Sequence, residues 1–384
     1  MGVTGSIACY KAVDLASKLT QAGAEVDVIL TEGAQQFITP LTFRSVTGRP
    51  SYGDMWSLDD HVQHVGLGET ADLFVIAPAT AHTIGKLAHG LADNLLTVTA
   101  LAARCPLLIA PAMDMGMYEH PATQANVATL RERGVHFAGP AEGRMASGLS
   151  GLGRMVEPAD LLAHIRQMLA KGGPLAGRKV VVSTGPTREP LDPVRFISNR
   201  STGKQGLAVA QAALDAGAEV TVVHGPIVEP VPFGATAVSV QTTDEMGDAV
   251  LEASKGSDAL FMVAAVADFR PNAQSGQKIK KTDEQWGRAI GLEVTLDILS
   301  AVKEQRDKSG YPRVVLGFAA ETHNAFEYGR DKLLRKGLNF IAVNEVMDED
   351  AGFEVDSNTV LLVSSAGVVE EITLQSKTAV AEVL

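Results

Sequence analysis

Short apolar runs alternate with helix-period stretches along this chain, and the alternation constrains its fold more than any other feature. Three such runs, Val26–Leu30, Leu73–Ala77 and Pro106–Ala110, lie among Ala/Leu-rich stretches such as 10–21 and 83–103, whose apolar residues recur at helical spacing. Strands that are apolar throughout are buried on both faces, as in a parallel sheet covered by helices. The pattern therefore predicts a βαβ series around a mainly parallel sheet.

The alternation stops at a Gly/Pro-rich linker, residues 171–177, and then starts again. Beyond the linker we predict a helix over 206–216. We predict strands over 179–183, 219–223, 259–264, 314–317 and 340–343. The fold class is therefore α/β, with two Rossmann-like or flavodoxin-like three-layer domains, 1–170 and 171–384, each built on a mainly parallel sheet.

The start of the chain is short for such a fold. Only four residues precede Gly5, whereas a βαβ unit has a full strand before its first glycine loop. We therefore expect either a misassigned start or a fragment.

Composition excludes several classes of function. The 384 residues carry a net charge of −12 and only 5% aromatic residues, which disfavours non-specific binding to nucleic acid. The two cysteines, Cys9 and Cys105, lack metal-ligand spacing and fit a reducing compartment. No apolar run approaches the length that spans a bilayer. We predict a cytoplasmic protein that binds neither nucleic acid nor membranes.

Three loops of the first half carry small or hydroxyl residues where a strand ends. Gly5-Ser6-Ile7, Thr31 and Pro78-Ala79-Thr80-Ala81 each lie there, and at one sheet edge they would form a mononucleotide pocket. Helix capping explains any one of them equally well. The missing G-x-G-x-x-G fingerprint argues against a nicotinamide dehydrogenase. His64 is either structural or catalytic, and His61 competes for the same role.

The second half has two loops rich in hydrogen-bond donors, residues 183–195 and 197–204, which suit a triphosphate although neither is a P-loop. Asp268 ends a predicted strand, where a carboxylate can hold a metal ion or bond a base or ribose. Lys278-Ile279-Lys280-Lys281 is a basic cluster, and Lys332 and Lys336 share a helix face. For each charge alone, solvated surface is the competing interpretation.

The first half resembles the homo-oligomeric flavin-containing cysteine decarboxylases over nearly all of residues 1–160. The resemblance rests on 5–8, 77–81, 85–94, His64, 111–113 with 117–118, and 148–155. It implies that FMN binds Gly5, Ser6, Ile7, Thr31, Pro78, Ala79, Thr80 and Ala81. It also implies that the flavin oxidises a cysteinyl thiol to a thioaldehyde, which permits loss of carbon dioxide. His64 would assist the thiol oxidation.

Two positions depart from that family. Asp114 stands where the family has an asparagine that contacts the substrate carboxylate, and an ionised aspartate would repel that group. Ser147 stands where the family has a cysteine that donates a proton, and a hydroxyl is a far weaker acid than a thiol. We hypothesise that turnover is retained with another proton donor, because the surrounding residues 148–155 are intact.

The second half resembles the phosphopantothenoylcysteine synthetases of the bifunctional bacterial type over about residues 175–350. The matching runs are 184–193, 197–203, 264–268, 278–281 and 317–322. The resemblance implies that CTP activates 4'-phosphopantothenate as an acyl-cytidylate, which the amine of cysteine attacks. Asn199 would act on the acyl-cytidylate, Lys278 would neutralise phosphate charge, and Asp268 would hold Mg²⁺. The implied CTP contacts are Met262, Val263, Ala264, Asp268, Lys278, Leu296, Asp297, Ile298, Leu299, Phe318, Lys332 and Lys336.

Together the two resemblances predict a bifunctional ligase and decarboxylase of coenzyme A biosynthesis. They also imply a homo-oligomer, with trimeric flavin domains and dimeric ligase domains that combine into a dodecamer. One alternative is a ligase with a catalytically impaired FMN-binding domain, which Ser147 and Asp114 favour. A second alternative, a flavodoxin-like regulatory binding protein, is opposed by the intact second half.

Overall fold

The computed structural model divides the chain into two compact units, Met1–Leu169 (unit 1) and Ala170–Leu384 (unit 2). It describes residues 1–55, 63–146, 148–280, 289–321, 324–345 and 355–384. Both units are α/β with mainly parallel sheets, which confirms the predicted fold class. In the described ranges, none of the helices combines the length and the hydropathy needed to cross a membrane.

Unit 1 contains eight strands and nine helices in the described ranges. In chain order they are β1 (Gly2–Val3), α1 (Cys9–Gln21), β2 (Val28–Leu30), α2 (Glu32–Gln35), α3 (Pro40–Thr47), β3 (Ser51–Tyr52), α4 (Gln63–Thr70), β4 (Phe74–Ala79), α5 (Ala81–His89), α6 (Leu95–Ala102), β5 (Leu107–Pro111), α7 (Met115–Glu119), α8 (Pro121–Glu132), β6 (His136–Phe137), β7 (Ala141–Arg144), β8 (Ser150–Arg154) and α9 (Pro158–Leu169).

The main sheet of unit 1 is parallel, in the order β3-β2-β1-β4-β5-β6, and β7 and β8 form a separate antiparallel hairpin. Strand β4 shows why its residues are apolar throughout. Val75 and Ala77 pack into the core on one face, whereas Phe74 and Ile76 pack into the core on the other. Strand order reverses between β1 and β4, which is the position where open α/β sheets bind their ligands.

The stretch 83–103, which we expected to be helical, is two helices. Gly90 ends α5 in the left-handed conformation, with φ of 67°, which favours glycine. Asn94 then begins α6 with a capping box that involves Thr97. Both signals are visible in the sequence, but the continuous apolar pattern concealed them.

Unit 2 follows in the same manner. Its elements are β9 (Lys179–Thr184), β10 (Arg188–Pro190), β11 (Phe196–Ser198), α10 (Lys204–Asp215), β12 (Glu219–His224), β13 (Thr236–Ser239), α11 (Thr243–Ala253), β14 (Ala259–Met262), β15 (Phe269–Pro271), β16 (Leu292–Val294), α12 (Ile298–Ser309), β17 (Val314–Glu321), α13 (Ala325–Lys336), β18 (Phe340–Glu345), β19 (Ser357–Ser364), β20 (Gly367–Ser376) and α14 (Lys377–Val383).

The main sheet of unit 2 has the order β13-β12-β9-β14-β17-β18-β19-β20, with strand order reversing between β9 and β14. The strands from β13 to β18 are parallel, and β19 and β20 are antiparallel additions. Two small hairpins, β10–β11 and β15–β16, stand apart from this sheet. Helices α11, α12 and α13 contribute to the core on one face, and α10 and α14 to the core on the other.

Candidate functional site

The loops that follow β1 and β4 are joined by the side chain of Thr4. Its hydroxyl donates to the Pro78 carbonyl (2.8 Å) and accepts the Thr80 amide (3.0 Å). The loop after β2 also approaches, because a Cβ atom on Gly5 would lie 2.9 Å from the carbonyl carbon of Gly33. The structure therefore brings the three predicted loops to one sheet edge, at the point where strand order reverses.

Helix capping nevertheless explains why Thr31 and Thr80 occur in these loops. The Thr31 hydroxyl accepts the Ala34 amide (3.2 Å), and the Thr80 hydroxyl accepts the Thr83 amide (3.3 Å). Helix α1 differs, because its N-cap residue, Ala8, provides no side-chain cap: the Ser6 hydroxyl accepts only the amide of Ala8 itself (3.3 Å), and Ile7 is exposed. Amide groups at the start of α1 are therefore the groups of this edge best suited to a phosphate.

His64 and Asp114 lie on different elements of unit 1. His64 is half-buried in the first turn of α4, which begins eleven residues after β3 ends (63 minus 52). Asp114 follows β5, and its carboxylate caps α7 by accepting the Gly116 amide (3.1 Å). Asp114 therefore lies at the edge where the three loops meet, because it follows the carboxyl end of β5 in the same parallel sheet. Ser147 and His61 lie outside the described residues.

The β7–β8 hairpin packs closely on the Asp114 segment. The Met113 amide donates to the Gly153 carbonyl (2.9 Å), and a Cβ atom on Gly153 would lie 2.3 Å from the Met113 carbonyl oxygen. Only glycine fits such an approach without moving the backbone. Residues 148–155, which the resemblance singled out, therefore lie against the segment that carries Asp114.

Unit 2 has a cavity of about 820 Å³ at the carboxyl edge of its sheet. Every predicted CTP contact except Lys278 lines it, as does Asn199. Asn199 donates from Nδ2 to the carbonyl oxygens of Ala265 (3.0 Å) and Val266 (3.1 Å). Lys278 is exposed and does not line the cavity, and Lys281 lies outside the described residues.

At the α12–α13 end of the cavity, two predicted lysines already contact protein oxygens. Lys336 pairs with Asp297 and donates to the Ser300 hydroxyl (3.0 Å), and Lys332 donates to the Phe318 carbonyl (3.3 Å). Burial opposes ionisation of Asp297, but hydrogen bonds from Lys336 and Ser300 outweigh it and lower the pKa of that carboxyl. Both lysines are therefore held at the cavity wall by oxygens of the protein.

The α10–α14 end of the cavity carries a second pair of lysines, Lys204 and Lys377, which sequence reasoning missed as a pair. Lys204 pairs with Asp356 (2.5 Å), which raises the pKa of the lysine. Lys377 is buried, and its pKa is lowered by that burial and by the nearby charge of Lys204. Only Lys204 lay in a predicted donor loop, and Lys377 is 173 residues further along the chain (377 minus 204).

Asn344 adds an uncompensated acceptor to the same cavity. It is 7% exposed, and its Oδ1 has no hydrogen-bond partner among the described residues. Asn344 pairs with Val360 across the sheet, and Asn358 lies two residues from Val360, so both asparagines belong to the face that packs on α14. A buried polar atom without a partner is costly, and a ligand that donates a hydrogen bond would relieve that cost.

Metal binding has one candidate here. Asp268 is exposed at the cavity, and in the described ranges no three His, Cys, Asp or Glu side chains gather into a metal site. Mg²⁺ usually binds through one or two carboxylates plus substrate phosphates, so a single aspartate fits that ion when a triphosphate is present.

Two family models match the chain. The family described as "Flavoprotein" matches residues 1–170, and the "DNA/pantothenate metabolism flavoprotein C-terminal domain" matches residues 175–384. Similar proteins extend over almost the whole chain. The coenzyme A biosynthesis bifunctional protein CoaBC of Bacillus subtilis is 42% identical over 98% of this chain and 92% of its own length. CoaBC of Mycobacterium tuberculosis H37Rv is 44% identical over 99% of this chain and 93% of its own length.

Solved structures resemble each half separately. A crystal structure of the C-terminal domain of CoaBC is 37% identical and covers 54% of this chain and 91% of that one, with a TM-score of 0.45. A mutant PPC decarboxylase complexed with pantothenoylaminoethenethiol is 34% identical and covers 43% of this chain and 93% of that one, with a TM-score of 0.39.

Proposed function

Because this chain belongs to the family of bifunctional CoaBC proteins of coenzyme A biosynthesis, we propose that it joins cysteine to 4'-phosphopantothenate with CTP and then decarboxylates the product with FMN. The chain is a ligase and a decarboxylase. We assign the ligase to residues 171–384 and the decarboxylase to residues 1–170. The ligase reaction proceeds through an acyl-cytidylate, and the residues that bind and convert the substrates are given below.

The observation that carries the ligase proposal is the unit 2 cavity, which the predicted CTP contacts other than Lys278 line together. These residues come from the end of β14 and the loop after it, the start of α12 and the two residues before it, β17, and α13, which are far apart in sequence. Their convergence at the point where strand order reverses supports a nucleotide site.

The two ends of this cavity suit different parts of the reactants. Leu296, Ile298 and Phe318 offer apolar contact near Lys332 and Lys336, which suits a base and ribose. Lys204, Lys377 and the start of α10 offer positive charge to phosphate groups, while Mg²⁺ would bind phosphate oxygens beside Asp268. Asn199 lines the same cavity, which supports its action on the acyl-cytidylate.

In the decarboxylase, the three loops at the carboxyl edge of β1, β2 and β4 would hold FMN, with its phosphate on the amides at the start of α1. Bound FMN accepts the electrons of thiol oxidation. His64 would assist that oxidation from the first turn of α4. The Asp114 carboxylate already accepts the Gly116 amide, so its position is fixed by the α7 cap and an asparagine would be held in the same place.

A ligase with an impaired flavin domain is the second candidate. Asp114 favours it, because an anionic cap residue at this edge would repel the carboxylate that decarboxylation must remove. Ser147, also cited for this candidate, lies outside the described residues. The two candidates differ only in whether phosphopantetheine is released.

The assembly proposal is a homo-oligomer in the cytoplasm, with paired ligase domains and trimeric flavin domains. An exposed apolar surface supports the pairing, because Val194, Phe196, Phe269, Leu292 and Val294 are each about half exposed or more. They lie on or beside the two small hairpins of unit 2. The two hairpins contact each other through β10 and β15, and exposed apolar side chains grouped on neighbouring elements favour an interaction site.

One experiment tests both halves. The purified protein is examined for flavin absorption and incubated with 4'-phosphopantothenate, cysteine, Mg²⁺ and CTP. We expect yellow protein, CTP-dependent pyrophosphate release and phosphopantetheine as the product. Pyrophosphate release with phosphopantothenoylcysteine or an enethiol as the final product would favour a ligase with an impaired flavin domain. A colourless protein that leaves CTP intact would refute the proposed function.

A further inference from the structure

The turn of the β10–β11 hairpin contains a buried carboxylate that organises the turn itself. The Asp192 side chain is 0% exposed and accepts the amides of Val194 (2.8 Å) and Arg195 (2.9 Å). The Arg195 guanidinium also donates to it, from Nε (2.9 Å) and from Nη2. We call this arrangement the Asp192–Arg195 clasp.

The same turn also forms hydrogen bonds with a neighbouring segment, residues 275–279. The Ile279 amide donates to Asp192 Oδ2 (3.2 Å), and Arg195 Nη2 donates to the Ile279 carbonyl (3.0 Å). The Ser275 amide donates to the Leu191 carbonyl (3.0 Å). The basic residue Lys278 therefore lies between two backbone anchors on the same turn, although its own side chain is exposed.

Hydrogen bonds hold the β10–β11 hairpin, which contains the clasp, against the rest of unit 2. Glu189 is 2% exposed and accepts the amide (2.8 Å) and the hydroxyl (2.7 Å) of Thr243. Thr187 accepts the Ala267 amide (3.0 Å). Asn199, immediately after the hairpin, donates to the Ala265 carbonyl. The β10–β11 hairpin therefore connects Asn199, which follows its second strand, with the turn that holds the residues around Lys278.

The clasp is ionised under assay conditions. The hydrogen bond from Arg195 is the largest influence on the pKa of Asp192, and with the three backbone amides it holds that pKa well below the usual range, against the opposing effect of burial. A carboxyl with a depressed pKa keeps its charge above that value, so the contacts of the clasp are complete near neutral pH.

We propose that Asp192 and Arg195 are positioning residues for the nucleotide-dependent step, because they bind Ile279, next to Lys278, and shape the turn whose Leu191 carbonyl binds Ser275 on the other side. The inference rests on the proposed function, in which Lys278 neutralises charge on the triphosphate. Without the clasp, the segment must be ordered each time nucleotide binds and not once during folding. Ordering one or two residues at each binding event lowers the rate about 10- to 100-fold.

The test begins with Asp192→Asn in the full-length protein. Asparagine has one acceptor oxygen, so it cannot accept at both carboxylate positions, of which one receives the Val194 and Arg195 amides and the other receives Ile279 and the Arg195 guanidinium; the side-chain volume is kept. We expect kcat/KM for CTP in pyrophosphate release to fall about 10- to 100-fold, with circular dichroism unchanged. Decarboxylation of supplied phosphopantothenoylcysteine should match the unmodified protein. An unchanged or faster release of pyrophosphate would overturn the proposal.

Asp258→Asn is the matched control. Its carboxylate also accepts a backbone amide, from Lys179 (3.0 Å), and an arginine, Arg178 (3.2 Å), but it precedes β14 at the opposite edge of the sheet. Asp258→Asn should keep full ligase activity. If the unmodified protein releases no pyrophosphate from CTP, the proposed function itself is refuted. If the unmodified protein is active and Asp192→Asn is equally active, only the proposed role of the clasp is refuted.

A double-mutant cycle with Lys278→Gln decides whether the clasp acts through that lysine. In the Lys278→Gln background, Asp192→Asn should change kcat/KM less than twofold, because the group it positions is gone. A full effect in that background would overturn the proposal. If Asp192→Asn does not fold, Arg195→Lys enters the same cycle, since lysine keeps the charge but lacks the fork that spans Asp192 and Ile279.

Discussion

Replacing the buried Lys377 with methionine tests whether the α10–α14 end of the unit 2 cavity binds phosphate. Lys377 is 6% exposed, donates to the Val355 carbonyl and lines the cavity near Lys204. Methionine has a similar length and packs well in irregular spaces, so Lys377→Met removes the charge with little change in volume. The substitution therefore separates electrostatics from packing.

The magnitude follows from the cost of losing one charge-assisted contact. At about 4 Å and an effective dielectric constant near 20, a lysine and a phosphate charge interact by about 4 kcal/mol. Exchange with water reduces the net contribution of such a hydrogen bond to about 1.5–3 kcal/mol. Since about 1.4 kcal/mol is a factor of ten, kcat/KM for pyrophosphate release should fall roughly 10- to 150-fold.

The stability of unit 2 should change in the opposite direction. The pKa of Lys377 is lowered on folding, so the protonated lysine is disfavoured in the folded state. That cost is complete below the folded-state pKa and disappears as pH rises through the unfolded-state value. Lys377→Met removes it, so the urea midpoint of unit 2 should stay the same or rise at neutral pH, and the gain should shrink as the pH is raised toward the unfolded-state pKa of lysine.

The assay measures pyrophosphate release at varied concentrations of CTP and of 4'-phosphopantothenate. A change in the kinetics for one of the two substrates shows whether Lys377 binds the phosphates of CTP or the phosphate of 4'-phosphopantothenate. The control is Lys255→Met, which replaces an exposed lysine paired only at the surface with Glu252 and should change kcat/KM less than twofold. A Lys377→Met protein with normal kinetics for both substrates would refute a phosphate site at this end. A lowered urea midpoint would refute the stability argument.

Two further predictions concern unit 1. Asp114→Asn keeps the oxygen that caps α7 and removes the negative charge, so decarboxylase kcat/KM should rise about tenfold, measured by phosphopantetheine formation; a decrease would show that the carboxylate is required. Lys11→Met should lower the free energy of unfolding of unit 1 by about 1–3 kcal/mol in urea, because the buried lysine donates to the Met155 carbonyl (2.9 Å) and Glu157 (2.7 Å). Lys18→Met, at an exposed helical pair, should cost less than about 0.5 kcal/mol, and equal losses in both variants would contradict the argument.

Local sequence was sufficient for most of the secondary structure. The strands predicted over 219–223 and 314–317 are present and extend to His224 and Glu321. Strand β4 was recognised because it is buried on both faces and therefore apolar at every position. The C-terminal hairpin of β19 and β20 and helix α14 were not predicted, because these antiparallel and terminal elements do not follow the repeating βαβ pattern.

The candidate site was predicted in part. The family resemblance implied CTP contacts at Ala264, just after β14, and at Phe318, within β17, and both residues line the same cavity. Lys278 is different, since it follows the hairpin strand β15 and not a strand of the main sheet, and it does not line the cavity. Position along the chain gave no sign of that difference.

The sequence by itself determined two α/β units, the loops at their strand ends and the family to which the chain belongs, because each of these depends on residues that are close together or on runs that match directly. Only the tertiary structure brought Lys204, Lys377 and Asn344 to one cavity, and only it joined Asp192 and Arg195 to Ile279. The reason is physical: such encounters depend on the order of strands in the sheet and on the return of the chain in α14. Neither is encoded by the local pattern of apolar and polar residues.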